Sequence, residues 1–445
     1  MLLVDKLIDY IIDKIKNYLL FTSHITLYFL CKLYILMSAI YDFDTSFFTE
    51  SNYEIDLSDN TKVHVKPGIN IDDIFTANPT AKTFIFKKGD YFLNNILEIN
   101  TNNISFIGET ANPSEIHIYQ NNTNADGISI KNCNHITIRN ISIHVEHSGK
   151  VALVVASSNY TTIEKCSIYG NDDTFTVFFA GPSDLSIGQS TLDAYQNDYL
   201  DKYNTFKNNI IYSKWSGDSI SFSLQSDGVF EHNVVRGGKI AIYMCKKILV
   251  SRNYIFDSVS NGMYISFPSH NLTIRCNKFY ECTASAIKLA NQAEHGNFDT
   301  SDYFINIYQN YIYDSKLYGI EINNGKNINI YKNKIVSTDV YCIYSYLSQN
   351  INIHHNRFYY FNVVIWFEST SDSLISDNAI YSVYPDNGDN ICKIINNSIN
   401  NIITYNASYG KIINDKYISD SNLNIFIDNT HNDYFDYDEE FDIIK

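Results

Sequence analysis

The chain has 445 residues, 33 Lys and Arg against 49 Asp and Glu, and a formal net charge of −16, which argues against a nucleic-acid ligand because phosphate binding needs a basic face. Hydrophobic residues make up 45% and aromatic residues 15%, which excludes an intrinsically disordered chain. Three residue types dominate, with 64 Ile, 54 Asn and 36 Tyr, while only six Pro exclude a Pro-rich linker protein. The eight cysteines are scattered without a C-x-x-C pair, so they read as small buried hydrophobes rather than zinc or redox ligands.

Tyr18 through Ile40 is almost wholly apolar. As a helix it would span ~35 Å, enough to cross a bilayer. Lys14 and Lys16 precede it, which would hold the N-terminus on the cytoplasmic side. His24 and Lys32 interrupt it. Three readings of residues 1–40 stay open: a signal anchor, a signal peptide cleaved near Ala39, or an upstream extension with Met37 as the start. The first two place the protein outside the cytosol, as a secreted, membrane-anchored or virion-associated chain.

From about residue 100 one pattern recurs: apolar, any, any, Asn, any, apolar. Instances are Phe206-Lys-Asn-Asn209-Ile-Ile211, Phe230-Glu-His-Asn233-Val-Val235 and Val250-Ser-Arg-Asn253-Tyr-Ile255. It continues at Asn277, Asn310, Asn333, Asn356, Asn378 and Asn397, and two earlier copies carry Ile141 and Cys166 at the Asn position. Most steps are close to 22 residues, with longer ones before Asn209 and Asn310. About ten residues after each anchor comes a second element, small-apolar-any-apolar, as in Gly262-Met-Tyr-Ile265, Ala286-Ile-Lys-Leu289 and Gly319-Ile-Glu-Ile322. Period-two alternation means strands with one face buried. Each repeat holds three short strands and no helix, as in a coil that stacks on its neighbour.

These repeats resemble those of right-handed parallel β-helix proteins of the pectin-lyase-like superfamily, over roughly residues 68 to 400. The resemblance implies an all-β, single-stranded right-handed parallel β-helix with a short N-terminal helical cap and an asparagine ladder. The cap falls on Pro67–Phe75, with Ile71, Ile74 and Phe75 on one helical face. Thr83–Tyr91 and Ile104–Gly108 are similar to the family's opening strands. The ladder is expected at the turn between the second and third strands of each coil, because Asn tolerates a left-handed turn and stacked amides bond between coils. The chain divides into a hydrophobic segment (1–40), the β-helix (41–400), and a C-terminal cap with an acidic tail (401–445).

In proteins of this kind the groove commonly runs along the outward face of the first strand, here the small-apolar-any-apolar element. Its outward residues read Ser129, Ser221, Tyr243, Tyr264, Lys288, Glu321, Tyr344 and Trp366. Two positions further lie Ser223, Cys245, Ser266, Ala290, Asn323, Tyr346 and Glu368. Tyrosine and tryptophan beside charged groups suit a sugar platform, with rings stacking on pyranoses. Tyr243, Tyr264, Tyr344, Trp366 and Glu368 are therefore the candidate substrate-binding residues. The β-propensity of Tyr and Trp would also place them on exposed strands. Insertions at 180–203 and about 291–302 follow first strands and would wall the same edge.

Lys288 and Glu321 fall at equivalent positions of adjacent coils, as a base with a charge partner or as a surface ion pair. His295 follows in the loop. A second group is His147, Lys150, Asp172 and Asp173, with Asp218 on a following coil. Paired carboxylates serve glycoside hydrolysis or hold Ca²⁺, and Asn171-Asp-Asp173 also reads as plain turn chemistry. The candidate catalytic residues are Lys288, Glu321, His295, Asp172 and Asp173. No cofactor is implied apart from Ca²⁺, and no other metal site. The polygalacturonase G-H-G, the epimerase D-P-H and the pectate lyase W-I-D-H motifs are all missing. A charge of −16 disfavours polyanionic ligands unless Ca²⁺ bridges them. The expected function is polysaccharide binding with processing by lyase, hydrolase or epimerase chemistry. The alternative is a non-catalytic virion or cell-surface attachment rod, for which a side-by-side homotrimer and membrane anchoring through 18–40 would fit.

Overall fold

A computed structural model describes residues 61–432, apart from positions 70, 72–73, 183–190, 214–216, 292–303, 361–362, 383–389, 396–397, 399, 405, 410–416, 420–423 and 428–429. The apolar segment 18–40, the loop bearing Glu294 and His295, Asn397 and the acidic tail lie outside the described residues. No helix of the described residues is long and apolar enough to cross a membrane.

The chain winds through three parallel sheets in turn. One coil runs from Met263–Phe267 through Leu272–Arg275 and Lys278–Tyr280 to Ile287–Asn291 on the next level. The first-strand sheet has 13 strands, the second 15 and the third 14. Register keeps like residues in columns. Ile274, Ile307, Ile330 and Ile353 stack on the second sheet, and Ile255, Phe279, Ile312 and Ile335 on the third. All are buried in one continuous core that runs from Val65 to Ile403. β-branched side chains suit such a twice-flanked strand. The small residue opening each first strand is explained by crowding at the corner. A Cβ on Gly262 would lie 2.7 Å from the Phe279 ring and 2.8 Å from the Ala286 carbonyl oxygen.

The coil continues past position 400. Ile402–Thr404, Ala407–Tyr409, Tyr417–Ser419, Ile425–Ile427 and Thr430–Asn432 extend the three sheets. At the other end the helix of the expected cap is only Ile74–Ala77, with Ile71 and Ile74 buried in the core. The strand Lys62–Val65 precedes it and already pairs with Thr83–Phe86.

The asparagine ladder runs from Asn209 through Asn233, Asn253, Asn277, Asn310, Asn333, Asn356 and Asn378 to Asn406. Each Nδ2 donates to the Oδ1 of the next at 2.9–3.1 Å. The same Nδ2 donates to a carbonyl on the preceding coil, as Asn277 does to Val250 at 3.1 Å. The ladder begins against Cys166, whose backbone N–H donates to Asn209 Oδ1. Two expectations are corrected. The rung after Asn378 is Asn406, not Asn397, because Ile394 belongs to the first strand Asn390–Ile395 and pairs with Phe367. The left-handed residue is not the ladder Asn but the one before it. His232, Arg252, Cys276, Gln309, Lys332, His355 and Asp377 have φ of 53–56°. Asn is therefore selected for its amide, which gives and takes hydrogen bonds along the coil axis.

Candidate functional site

The outward column of the first-strand sheet is set by register. Ala241, Tyr264, Lys288, Glu321, Tyr344, Trp366 and Lys393 follow one another on successive coils. Tyr243 is not in this column. It pairs with Ser223 and Ser266, two positions along, in the column that continues through Ala290, Asn323, Tyr346 and Glu368. Cys245, expected in that second column, is buried in the core. It is one of six buried cysteines among the seven described, all free, and burial pushes its thiol up to about 12.

Lys288 Nζ lies 2.7 Å from Glu321 Oε1, and the exposures of the two side chains differ, 29% for the lysine and 8% for the carboxylate. Glu321 is held from three sides. Asn323 Nδ2 also donates to Oε1 at 2.8 Å, and Ser285 Oγ donates to Oε2 at 2.6 Å. A carboxylate so occupied is a fixed anchor. Lys288 is the member of the pair that a ligand can touch. Ser285 is not signalled by the alternation, because it precedes its strand, Ile287–Asn291, rather than lying in the outward column.

Further along the face, Tyr344 donates its hydroxyl to Glu368 Oε2 at 3.0 Å. Burial and that acceptor raise the Tyr344 phenol above its ordinary value. Burial likewise pushes the Tyr341 phenol up to about 12. Both remain hydroxyl donors at neutral pH. The rings stack along the coil axis. Tyr318 lies 4.9 Å from Tyr344 and 5.5 Å from Tyr341. Trp366 has Tyr341 of the preceding coil at 4.6 Å and the ammonium of Lys393, on the following coil, 4.2 Å from its ring centre. Tyr264 has Lys239 Nζ 5.4 Å from its ring centre. Neighbouring groups thus lie against the Trp366 and Tyr264 rings, and the face offers hydroxyls and amines beside them.

The insertion at 180–203 is placed in part. Its helix, Thr191–Gln196, buries Ala194 and Tyr195 with Leu200 against Leu224 and Met244. The Tyr195 hydroxyl bonds the Pro268 carbonyl and pairs with His270 Nδ1. Lys246 Nζ lies 4.7 Å from the Tyr195 ring centre and 3.2 Å from Asp198. The segment therefore packs over the turns that leave three successive first strands. The insertion at 291–302 and His295 lie almost wholly outside the described residues.

In the second expected group, residues 147–150 and 171–173 meet through turn hydrogen bonds, and Asp218 lies apart from them. Asp173 accepts from Ser148 Oγ and from the Gly149 N–H at 2.7 Å, and these hydrogen bonds hold its carboxyl below the usual value. Asn171 donates to the carbonyls of His147 and Lys150, both at 2.7 Å. Asp172 is exposed. These residues close a turn. Asp218 is elsewhere, 2.9 Å from Lys239 beside Tyr264. Among the described residues no group of three or more His, Cys, Asp or Glu side chains converges to hold a metal ion.

A second aromatic column, unforeseen, lies on the outward side of the third sheet. Tyr119, His144, Tyr169 and Tyr212 stack at 4.3–4.7 Å; the register then passes through Arg236 before aromatic residues resume at Phe256, Tyr280 and Tyr313. Its signal was legible as an aromatic residue three positions after the ladder Asn. These rings also face one another and stabilise the sheet.

Comparison with known proteins agrees with the coil. A family model described as right handed beta helix region matches residues 185–305. No curated protein matches the sequence. Among solved structures the chain is similar to the A-module of the mannuronan C-5 epimerase AlgE6 of Azotobacter vinelandii, at 12% identity and TM-score 0.46, covering 82% of this chain and 96% of that one. It is similar to DFA-IIIase from Arthrobacter chlorophenolicus at 10% identity and TM-score 0.45, covering 82% and 98%. A third similar structure is the catalytic domain of an alpha-1,3-glucanase, at 13% identity and TM-score 0.43, covering 84% and 70%. With its three parallel sheets, its asparagine ladder and the family-model match over residues 185–305, the chain folds as a right-handed parallel β-helix.

Proposed function

We propose that the outward face of the first-strand sheet binds a polysaccharide along the coil axis and processes it at Lys288. The supporting observation is the Lys288–Glu321 pair, 2.7 Å apart, seated between Tyr264 and Tyr344 in one column. An extended glycan presents a hydroxyl-rich repeat, and this column presents a hydroxyl, amine or ring edge at Tyr264, Lys288, Tyr344, Trp366 and Lys393, on coils about 4.8 Å apart. Glu321 positions Lys288, whose ammonium meets a glycan oxygen and offsets negative charge developing there. Tyr264, Tyr344 and Trp366 line the path, and Tyr243 and Glu368 border it. The helix Thr191–Gln196 walls the edge where the first strands end.

The test uses the full chain with a panel of soluble polysaccharides, following retention in affinity gels, new reducing ends and the ultraviolet absorbance of unsaturated uronides. At least one glycan is expected to retard the protein. Tyr264→Ala and Trp366→Ala are each expected to weaken retention by about tenfold, or ~1.4 kcal/mol. Lys288→Met is expected to abolish product while retention persists. Wild-type retention in both aromatic variants would place binding elsewhere, and wild-type turnover in Lys288→Met would remove it from the chemistry.

A further inference from the structure

We infer that the glycan taken by this face is uncharged, an inference that rests on the glycan reading above and narrows it. Among the described residues, the first strands from Ile220–Ser223 to Asn390–Ile395 carry Lys288 and Lys393 against Glu321 and Glu368, and the pair Lys239 and Asp218 flanks them. Three cations and three anions sum to zero. Two of the lysines are already matched, Lys239 to Asp218 at 2.9 Å and Lys288 to Glu321 at 2.7 Å. The third, Lys393, lies over the Trp366 ring at 4.2 Å, where the ring quadrupole faces its charge.

A uronate polymer carries one carboxylate per sugar. To engage Lys288 with full strength it would have to displace Glu321, leaving a nearly buried carboxylate without its cation. That exchange loses more than it gains. Around the face the chain carries −16 overall, so the long-range field also repels a polyanion. A neutral glycan meets no such opposition. Its hydroxyls match what the face offers: the phenols of Tyr318, Tyr341 and Tyr344, the Asn323 amide and the N–H groups of Lys288 that Glu321 does not occupy. The charge balance therefore acts as a selectivity device, in which Asp218 and Glu321 cancel lysines that would otherwise attract acidic sugars.

The experiment measures dissociation constants of the full chain by calorimetry, in chelator. The ligands are soluble β-glucan, galactomannan and arabinoxylan on one side, and polygalacturonate and alginate on the other. Salt is set at about 20 and about 300 mM, which moves the screening length several-fold. The expected result is that a neutral polymer binds with less than about twofold change across salt, and both uronates bind at least about tenfold more weakly at either. Glu321→Gln, which leaves Lys288 unmatched, is expected to strengthen uronate binding by about tenfold at low salt and to make it salt-dependent. A uronate that binds the unmodified chain more tightly than every neutral polymer overturns neutrality and leaves the glycan reading standing. Uronate affinity unchanged in Glu321→Gln overturns charge balance as its cause. Failure of every polymer to bind takes down the glycan reading itself.

Discussion

Lys288 and Glu321 meet at 2.7 Å across adjacent coils, and the carboxylate is the more deeply buried partner. That asymmetry fixes which half of the pair the fold depends on. Lys288→Met leaves Glu321 buried with only Ser285 and Asn323 as donors, which should cost about 3–5 kcal/mol. Glu321→Gln leaves a lysine that already reaches water, and should cost about 1–2 kcal/mol. Urea midpoints of the two variants check the order. Equal losses, or a larger loss in Glu321→Gln, would show that the carboxylate is not anchored as described.

The ladder makes a sharper demand. Asn277 is fully buried. It donates to Val250 and Asn310, and its Oδ1 accepts from both the backbone N–H and the Nδ2 of Asn253. Asn277→Ala strands partners on both neighbouring coils and should cost about 3 kcal/mol or more, at roughly 1–3 kcal/mol per unsatisfied buried group. Asn277→Asp keeps the shape and the acceptor but loses both donors and adds a buried charge, so it should be at least as damaging. Thermal unfolding of both variants decides this. A mild effect of Asn277→Asp would mean that amide donation along the axis is not what the column is for.

The coil architecture was legible in the sequence because the two signals that carry it are local: an Asn at a fixed offset from an apolar residue, and a period of two in the strands. Register was not. The alternation places Tyr243 two positions from its true column, because a two-residue slip keeps the same face outward and leaves the alternation unchanged. Only the pairing Tyr243–Ser266 resolves it. Glu321's grip by Ser285 was hidden because Ser285 precedes its strand and reaches the column from the corner. The expected role of Asn in the left-handed turn failed for a different reason. The turn residue and the ladder residue are neighbours, and composition alone points to Asn for both.

The left-handed column gives a prediction of its own. Lys332 has φ of 54° and is exposed, in a region that costs an L-residue about 1–2 kcal/mol. Lys332→Gly removes that cost and adds about 0.5–1 kcal/mol of unfolded-chain entropy, so stability should be unchanged or slightly raised. Lys332→Val puts a β-branched residue there and should destabilise by about 2 kcal/mol. A tolerated valine would mean that this turn rearranges freely. The same comparison at Gln309, also at positive φ, serves as the replicate.

The stacked column of the third sheet should make the protein acid-sensitive. His144 lies between Tyr119 and Tyr169, with His117 Nδ1 3.1 Å from its Nε2. Burial first, and the neighbouring His117 second, lower its pKa from 6.5 to about 4. The folded state thus holds His144 neutral where the unfolded chain would protonate it. Between pH 6.5 and about 4 the unfolded state binds more protons, so the stabilising contribution is complete above 6.5 and is lost as pH falls towards 4. The loss from this residue should reach about 2–3 kcal/mol. His232, His270 and His354 are shifted downward by burial as well and add to the same slope. His144→Phe keeps an aromatic ring in the stack and removes its titration. Unfolding free energies measured across that window should fall less steeply in the variant, and an unchanged slope would assign the acid sensitivity to the other histidines or to the carboxylates.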